Sequence, residues 1–276
     1  MKICVIMPAA GASVRYQAAG AVRHKLDEDL GGKPLIQRTV ETFTKFDDDE
    51  ATIASILVAG PHDDADFAAF TDRHGDRLSL LGAKLVKGGP TYRWQTVAAA
   101  MAHVPEQCTH IAVHDAARPA VSFALLARVF RAARTHAAVV PAVSCSDTVK
   151  RAKETGETFG GDDPVASILG ESTASKAPLR IVSETVDRKG LVLVQTPQVF
   201  RSELLKRAYA PLQAGDPAAF AHITDDASVV EATGERIVIV EGESTNVKVT
   251  LPADLTIARA VMGFREPEGK AAMRRF

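Results

Sequence analysis

A chain of 276 residues that is 46% hydrophobic can bury a sizeable core, while 5% aromatic content leaves few rings on which single-stranded nucleic acid could stack. Its 33 Lys and Arg against 34 Asp and Glu give no global field toward nucleic acid or a membrane surface, so an anionic ligand must be held by locally gathered charge. Cys4, Cys108 and Cys145 are an odd number without a C-x-x-C pair, which indicates neither a disulfide framework nor a zinc site.

The first element is the β-branched apolar run Ile3 to Met7, too short for a helix and suited to a central strand buried on both faces. Pro8 ends it. In Ala9, Ala10, Gly11, Ala12 and Ser13 the small side chains allow close backbone approach, so successive N–H groups can face phosphate oxygens, with Arg15 and Lys25 adding positive charge. A simple turn after a first strand has the same composition. The dinucleotide G-x-G-x-x-G and Walker patterns are both absent, which disfavours a nicotinamide dehydrogenase. Lys2 and the apolar stretch resemble a signal peptide, but Pro8 interrupts the run and folded-type sequence follows, so a retained cytoplasmic strand is expected. No apolar run reaches the ~18 residues of a membrane span.

Further strands are expected at Ile56 to Ala59, Leu85 to Lys87, Ile111 to His114 and Ala138 to Val143. Helices are expected between them at Leu35 to Phe43, Asp64 to Arg73, Arg93 to His103 and Phe123 to Thr135. This alternation predicts an α/β fold, a Rossmann-like, mostly parallel sheet with helices on both faces. The right-handed crossover rule gathers Gly11 to Lys25, Gly88 to Thr96 and Asp115 to Pro119 on one sheet edge. After Lys150 the pattern breaks. Residues 152–180 are rich in Gly, Ser, Thr and Ala, and short strand-like pieces, Thr148 to Arg151 and Val182 to Asp187, flank them. These predict a protruding two-stranded arm over 144–190, which would need a surface to lie on, such as a second subunit. The α/β pattern resumes with strands at Leu191 to Gln195, Ile237 to Val240 and Val247 to Thr250, and helices at Ser202 to Leu212, Asp225 to Glu231 and Ala253 to Met262. Residues 1–276 thus read as one domain with an inserted arm and a loose tail at 265–276.

Several short motifs place chemistry at strand ends. In VHDAARP, Asp115 can bind a hydroxyl or a metal-bound water and Arg118 a phosphate, or the two can simply cap and pair. TDDASVVE places Thr224, Asp225 and Asp226 at a helix start, where capping accounts for them. QTPQVF ends a strand at Thr196. NVKVT sets Lys248 inside a strand, on a solvated face or aimed at a ligand. His110 and His114 lack the H-E-x-x-H glutamate and are not expected to bind metal.

Together the segments PAAG with Arg15 and Lys25, GG…R…TV (Gly88 to Val97), VHDAARP, DTVK (Asp147 to Lys150), TVDR (Thr185 to Arg188), QTPQVF, TDDAS and NVKVT-LPADL follow one order. In that order the chain resembles the 2-C-methyl-D-erythritol 4-phosphate cytidylyltransferase family. The resemblance implies a nucleotidyltransferase of the non-mevalonate isoprenoid pathway, a homodimer in which each β-arm completes the neighbour's site. It implies catalytic roles for Arg15, Lys25, Arg188 and Lys248, and CTP binding by Ala9 to Ser13, Gly89, Arg93 and Thr96. Asp115, Arg118, Thr148, Thr196 and Thr224 would hold the polyol phosphate, Thr148 and Arg188 coming from the partner's arm. Mg²⁺ would be bound mainly through the CTP phosphates, with no protein ligand assigned, and would leave with pyrophosphate. No nucleic acid or membrane partner is implied. The chain departs from the family at Ser13, usually Gly, at His24, usually Pro, and in a longer Arg15–Lys25 interval, which makes Lys33 a rival phosphate lysine; from Lys25 onward LDEDLGGKPLI follows the family without a gap, which places Lys25 in the motif and Lys33 on the approach to the next helix. The glycine loop before Arg93 and the 152–180 connection are also longer. A cytidylyltransferase for another polyol phosphate, such as ribitol 5-phosphate, and a non-catalytic nucleotide-binding module share parts of this pattern.

Overall fold

The computed structural model describes residues 1–159 and 177–264. The middle of the expected 152–180 connection and the expected tail at 265–276 lie outside the described residues. The chain divides into two compact units, Met1–Val143 with Val194–Phe276, and Ser144–Leu193.

In the first unit, β1 (Lys2–Pro8) shows why an apolar run of this kind becomes a central strand. Strand period two sends Ile3, Val5 and Met7 into one core with Leu35, Val40, Phe43, Leu126 and Phe130. Cys4 and Ile6 enter a second core with Trp94, Val97, Leu205 and Tyr209. Around β1 run α1 (Val14–Ala18), a 3-10 turn (Lys25–Asp27), α2 (Leu35–Thr44), β2 (Thr52–Gly60), α3 (Asp64–Leu80), β3 (Ala83–Lys87), α4 (Arg93–Met101), β4 (His110–Val113), α5 (Phe123–Ala133) and β5 (Ala138–Ser144). The second unit supplies β6 (Val149–Phe159) and β7 (Ala177–Val186), and β8 (Val192–Val194) follows. The chain then continues through β9 (Gln198–Arg201), α6 (Ser202–Ala214), a 3-10 turn (Pro217–Phe220), α7 (Asp226–Glu231), β10 (Val238–Glu241) and α8 (Pro252–Val261). Helices α2 and α5 cover one face of the sheet, and α4, α6 and α7 the other.

The sheet runs β3-β2-β1-β4-β9-β5-β10. Pairings of β1 with β2 and β4, β2 with β3, and β5 with β10 are parallel, and β9 is antiparallel to both β4 and β5. The chain moves outward from β1 through β2 to β3 and then returns to place β4 on the other side of β1. A crevice opens beyond the carboxyl ends of β1 and β4, where open α/β sheets bind ligands.

Two expectations are adjusted. The strand expected at Leu191 to Gln195 is β8, which stops at Val194, short of Thr196, and QTPQVF also opens a further strand, β9, at Gln198 after Pro197, which has no N–H to donate to a ladder. Val247 to Thr250 is not a strand. Its alternation is real, with Val249 buried, but its backbone meets a loop, Val249 N–H donating to Ala117 O at 2.8 Å. Helix α1 follows a turn that the sequence did not mark as a helix start.

The second unit is an antiparallel ribbon of β6 and β7 with Val149 opposite Val186 and Arg151 opposite Glu184. Cross-strand pairs line it, Lys150 Nζ to Thr185 Oγ1 at 2.5 Å and Arg151 Nε to Glu184 Oε1 at 2.5 Å. Ile181 and Val182 are exposed on it. No helix among the described residues is long and apolar enough to cross a membrane.

Candidate active site

The loop after β1 is tied to the sheet at its start, where Ala9 N–H donates to Ala59 O at 2.7 Å. A Cβ on Gly11 would meet no protein atom, so the space beside it belongs to the crevice. Ser13 has φ 54°, in the left-handed region, and its enclosed hydroxyl has no hydrogen-bond partner. A side chain there costs about 1–2 kcal/mol, part of which glycine returns as unfolded-state entropy. Ser13→Gly is therefore expected to raise stability by about 0.5–1 kcal/mol in urea unfolding; a lower midpoint would contradict the strain assigned here.

Arg15 follows on the exposed surface of α1, and Lys25 opens the 3-10 turn. Lys33, the rival lysine, is instead ion-paired with Glu41 on α2. Glycine is required in the loop after β3: a Cβ on Gly88 would lie 2.4 Å from Gly60 O, and one on Gly89 2.3 Å from Gln95 Cβ. Gln95 fixes this loop by accepting from Thr91 N–H at 3.1 Å and Tyr92 N–H at 2.9 Å, and Thr96 Oγ1 accepts from Gly89 N–H at 3.3 Å.

Arg93, at the start of α4, bridges two carboxylates. Its Nη1 lies 2.7 Å from Asp226 Oδ2 and its Nη2 3.6 Å from Asp115 Oδ1. Asp226 is fully buried and also accepts from Tyr209 Oη at 2.6 Å. Of the TDD segment, Asp225 is the cap, accepting from Ser228 N–H at 3.0 Å, while Thr224 is exposed. The role of Asp226 was missed because two adjacent acids at a helix start read alike as caps; only the helix rotation turns one inward.

Asp115 follows β4. Its carboxylate is 2.7 Å from Lys248 Nζ and 3.7 Å from Arg118 Nε. Beneath it, Thr196 Oγ1 accepts from Asp115 N–H at 3.1 Å and lies 3.2 Å from His114 Nδ1, while His114 Nε2 lies 3.1 Å from Arg118 O. Both ring nitrogens of His114 are thus engaged, and burial pushes it down to about 4. His110 is likewise occupied, by Thr109 and Ala133 O. Asn246 Nδ2 donates to Thr196 O at 2.9 Å and Arg118 Nη1 donates to Asn246 O at 2.6 Å, which braces the segment that brings Lys248 to Asp115. Burial alone would raise the Asp115 carboxyl, but Arg93, Lys248 and Arg118 outweigh it and hold it well below the usual carboxylate range. Lys25 is pushed down by burial and then by Lys248 and Arg15, with Asp115 opposing.

Ala9, Ala10, Gly11, Lys25, Gly89, Arg93, Thr96, Asp115 and Lys248 line one cavity of about 260 Å³. Leu26, Thr91 and Tyr92, which the sequence did not single out, join them. Ala12, Ser13 and Arg15 lie just along the chain from the lining. Arg118 and Thr196 sit behind Asp115 rather than in the lining, and Thr224 is outside it. Thr148 and Arg188 are exposed on the second unit, where Arg188 donates to Ser146 O.

The family described as 2-C-methyl-D-erythritol 4-phosphate cytidylyltransferase matches residues 3–164 and 164–264. The chain belongs to that family. Its relatives include the 2-C-methyl-D-erythritol 4-phosphate cytidylyltransferases of Bacteroides fragilis, 36% identical over 84% of this chain and 88% of the relative, and of Bacteroides thetaiotaomicron, 34% identical over 95% and 100%. The crystal structure of the Thermus thermophilus cytidylyltransferase superposes with a TM-score of 0.65 at 29% identity, covering 95% of this chain and all of that one. As a cytidylyltransferase the chain is an enzyme, a nucleotidyltransferase, and its α/β sheet is the family's fold. Within this cytidylyltransferase the backbone at Ser13 takes the conformation that glycine adopts without strain, and nothing in the structure explains the serine there.

Proposed function

We propose that this cavity transfers the cytidylyl group of CTP to 2-C-methyl-D-erythritol 4-phosphate, in the non-mevalonate route to isoprenoids. The observation that carries the reading is the lining itself. It pairs a small-residue loop with Lys25, Arg93 and Lys248 and a single carboxylate, and among the described lining residues there is no His or Cys to act as base or nucleophile.

Such a site suits direct displacement. A phosphate oxygen of the acceptor forms a bond to the α-phosphorus of CTP as the bond to the bridging oxygen breaks, and pyrophosphate departs in line. The nucleophile is anionic near neutral pH, so positioning and charge neutralisation carry the catalysis without a general base. In this reading Arg15 and Lys25 steady the triphosphate, whose charge also reverses the downward push on Lys25. The Ala9 to Ser13 loop and Gly89, Arg93 and Thr96 hold the nucleotide. Asp115 and Lys248 face the acceptor, while Arg118 and Thr196 position Asp115, and Thr224 would have to reach the acceptor from outside the lining. A Mg²⁺ ion carried by the triphosphate would add positive charge at the phosphates. Asp115 is the carboxylate of the lining that could face it, and its engagement by Lys248 and Arg93 fits a metal held through CTP rather than in a protein cage.

Thr148 and Arg188 act, in this proposal, from a partner's ribbon in a homodimer; a two-stranded ribbon is marginal alone, and Ile181 and Val182 offer apolar surface for burial. The three free cysteines suit a reducing cytoplasm, with Cys4 pushed up to about 12 chiefly by burial. Pyrophosphate release from CTP, Mg²⁺ and either methylerythritol 4-phosphate or ribitol 5-phosphate tests the reading. Preference for methylerythritol phosphate is expected. Preference for ribitol phosphate moves the assignment to that acceptor, and CTP binding without turnover on either moves it to a nucleotide-binding module. Light scattering of the purified chain tests the dimer.

A further inference from the structure

We propose that His24 is a positioning residue for the nucleotide, a strap that holds the phosphate loop against the turn carrying Lys25. The inference rests on the assignment of the cavity to CTP. Nine residues separate Arg15 from Lys25, and a connection of that length holds its ends in register loosely unless it is tied. His24 closes that interval with two bonds from one ring. Its Nε2 lies 2.8 Å from Gly11 O, and its Nδ1 accepts from Leu26 N–H at 3.3 Å. Because Nδ1 accepts, the proton sits on Nε2 and is donated to Gly11 O.

The Gly11 carbonyl is thereby engaged within the protein. This matters because a carbonyl turned into an anion site opposes the ligand that neighbouring N–H groups attract. The turn is also anchored on its other side: Asp27 Oδ1 lies 2.6 Å from Nε2 of His74, which is buried on α3, and Asp27 Oδ2 lies 3.5 Å from Arg73 Nε. Lys25 therefore stands on a turn held to α3 by Asp27 and to the phosphate loop by His24. The charges acting on His24 are Asp27 and Lys25 from its own turn and Arg73 from α3; burial is the largest influence and favours the neutral ring that the Nδ1 bond requires, while the bond to Gly11 O opposes it.

Three substitutions separate the two bonds. His24→Gln keeps an N–H donor where Nε2 lies and loses the Nδ1 acceptor. His24→Asn keeps an acceptor where Nδ1 lies and loses the donor to Gly11. His24→Ala loses both. In steady-state pyrophosphate release, the Asn and Ala variants are expected to raise KM for CTP about tenfold, as for loss of one positioned hydrogen bond, with KM for the acceptor nearly unchanged. The Gln variant is expected to stay within about threefold of the parent. A Gln variant as impaired as Ala, or an unchanged KM for CTP in Asn and Ala, would overturn the strap. Absence of turnover in the parent would instead count against the proposed reaction, and CTP calorimetry on the same variants would then read the strap directly, with the same order of affinities expected.

Discussion

Replacing Lys25 with alanine is expected to lower kcat about a hundredfold or more, and replacing Arg15 to do likewise, measured by steady-state pyrophosphate release. Removing one group that stabilises transition-state charge typically costs ~2.7–4 kcal/mol of barrier. Lys25 is well placed to do this, because it lines the cavity, and burial and then its neighbours Lys248 and Arg15 make its positive charge unfavourable until an anion arrives. Lys33→Ala supplies the contrast. Lys33 pairs with Glu41, so its loss should lower stability slightly and leave kcat near the parent value. Near-parent turnover in Lys25→Ala, or a hundredfold loss in Lys33→Ala, would reverse the choice between the two lysines.

Arg93→Met is expected to destabilise the fold by about 3–5 kcal/mol, because it strands a buried carboxylate. Asp226 is fully buried and, among the described residues, keeps the Tyr209 hydroxyl as a donor once the guanidinium is gone, and Asp115 loses one of its three basic neighbours at the same time. Burial pushes the Arg93 guanidinium down, but Asp226 and then Asp115 outweigh it and raise it above its ordinary value. Urea unfolding of the Arg93→Met and Arg93→Met/Asp226→Asn variants separates the causes. The double variant, which removes the stranded charge, should recover a substantial part of the loss. No recovery would mean that lost packing of the Arg93 stem, rather than the uncompensated charge, sets the effect.

Much of the sheet was legible along the chain because its signal is local. Ile3 to Met7 alternate between two cores, and any such run bounded by Pro8 carries that message within itself. The small residues after it and Asp115 after β4 are likewise marked by position, since parallel strands send their following loops to one edge. Val247 to Thr250 shows the limit. Its alternation reports which side chains point inward, but whether a strand forms depends on a neighbouring strand, and here a loop at Ala117 occupies that place. Asp226 shows another limit, because a carboxylate's partner 133 residues away in sequence leaves no trace near it.

By itself, then, the sequence determined the α/β alternation, the sheet edge at which the cavity opens, the small-residue loop and the family to which the ordered motifs belong. Each of these depends on residues close together in the chain. The tertiary structure alone decided that Lys33 is paired with Glu41, that Asp226 anchors Arg93 instead of capping a helix, that Thr196 supports Asp115 from behind, and that His24 joins the loop to the lysine turn. Those are contacts between segments distant in sequence, set by how the packed elements meet, and no local pattern encodes the distance across which a charge finds its partner.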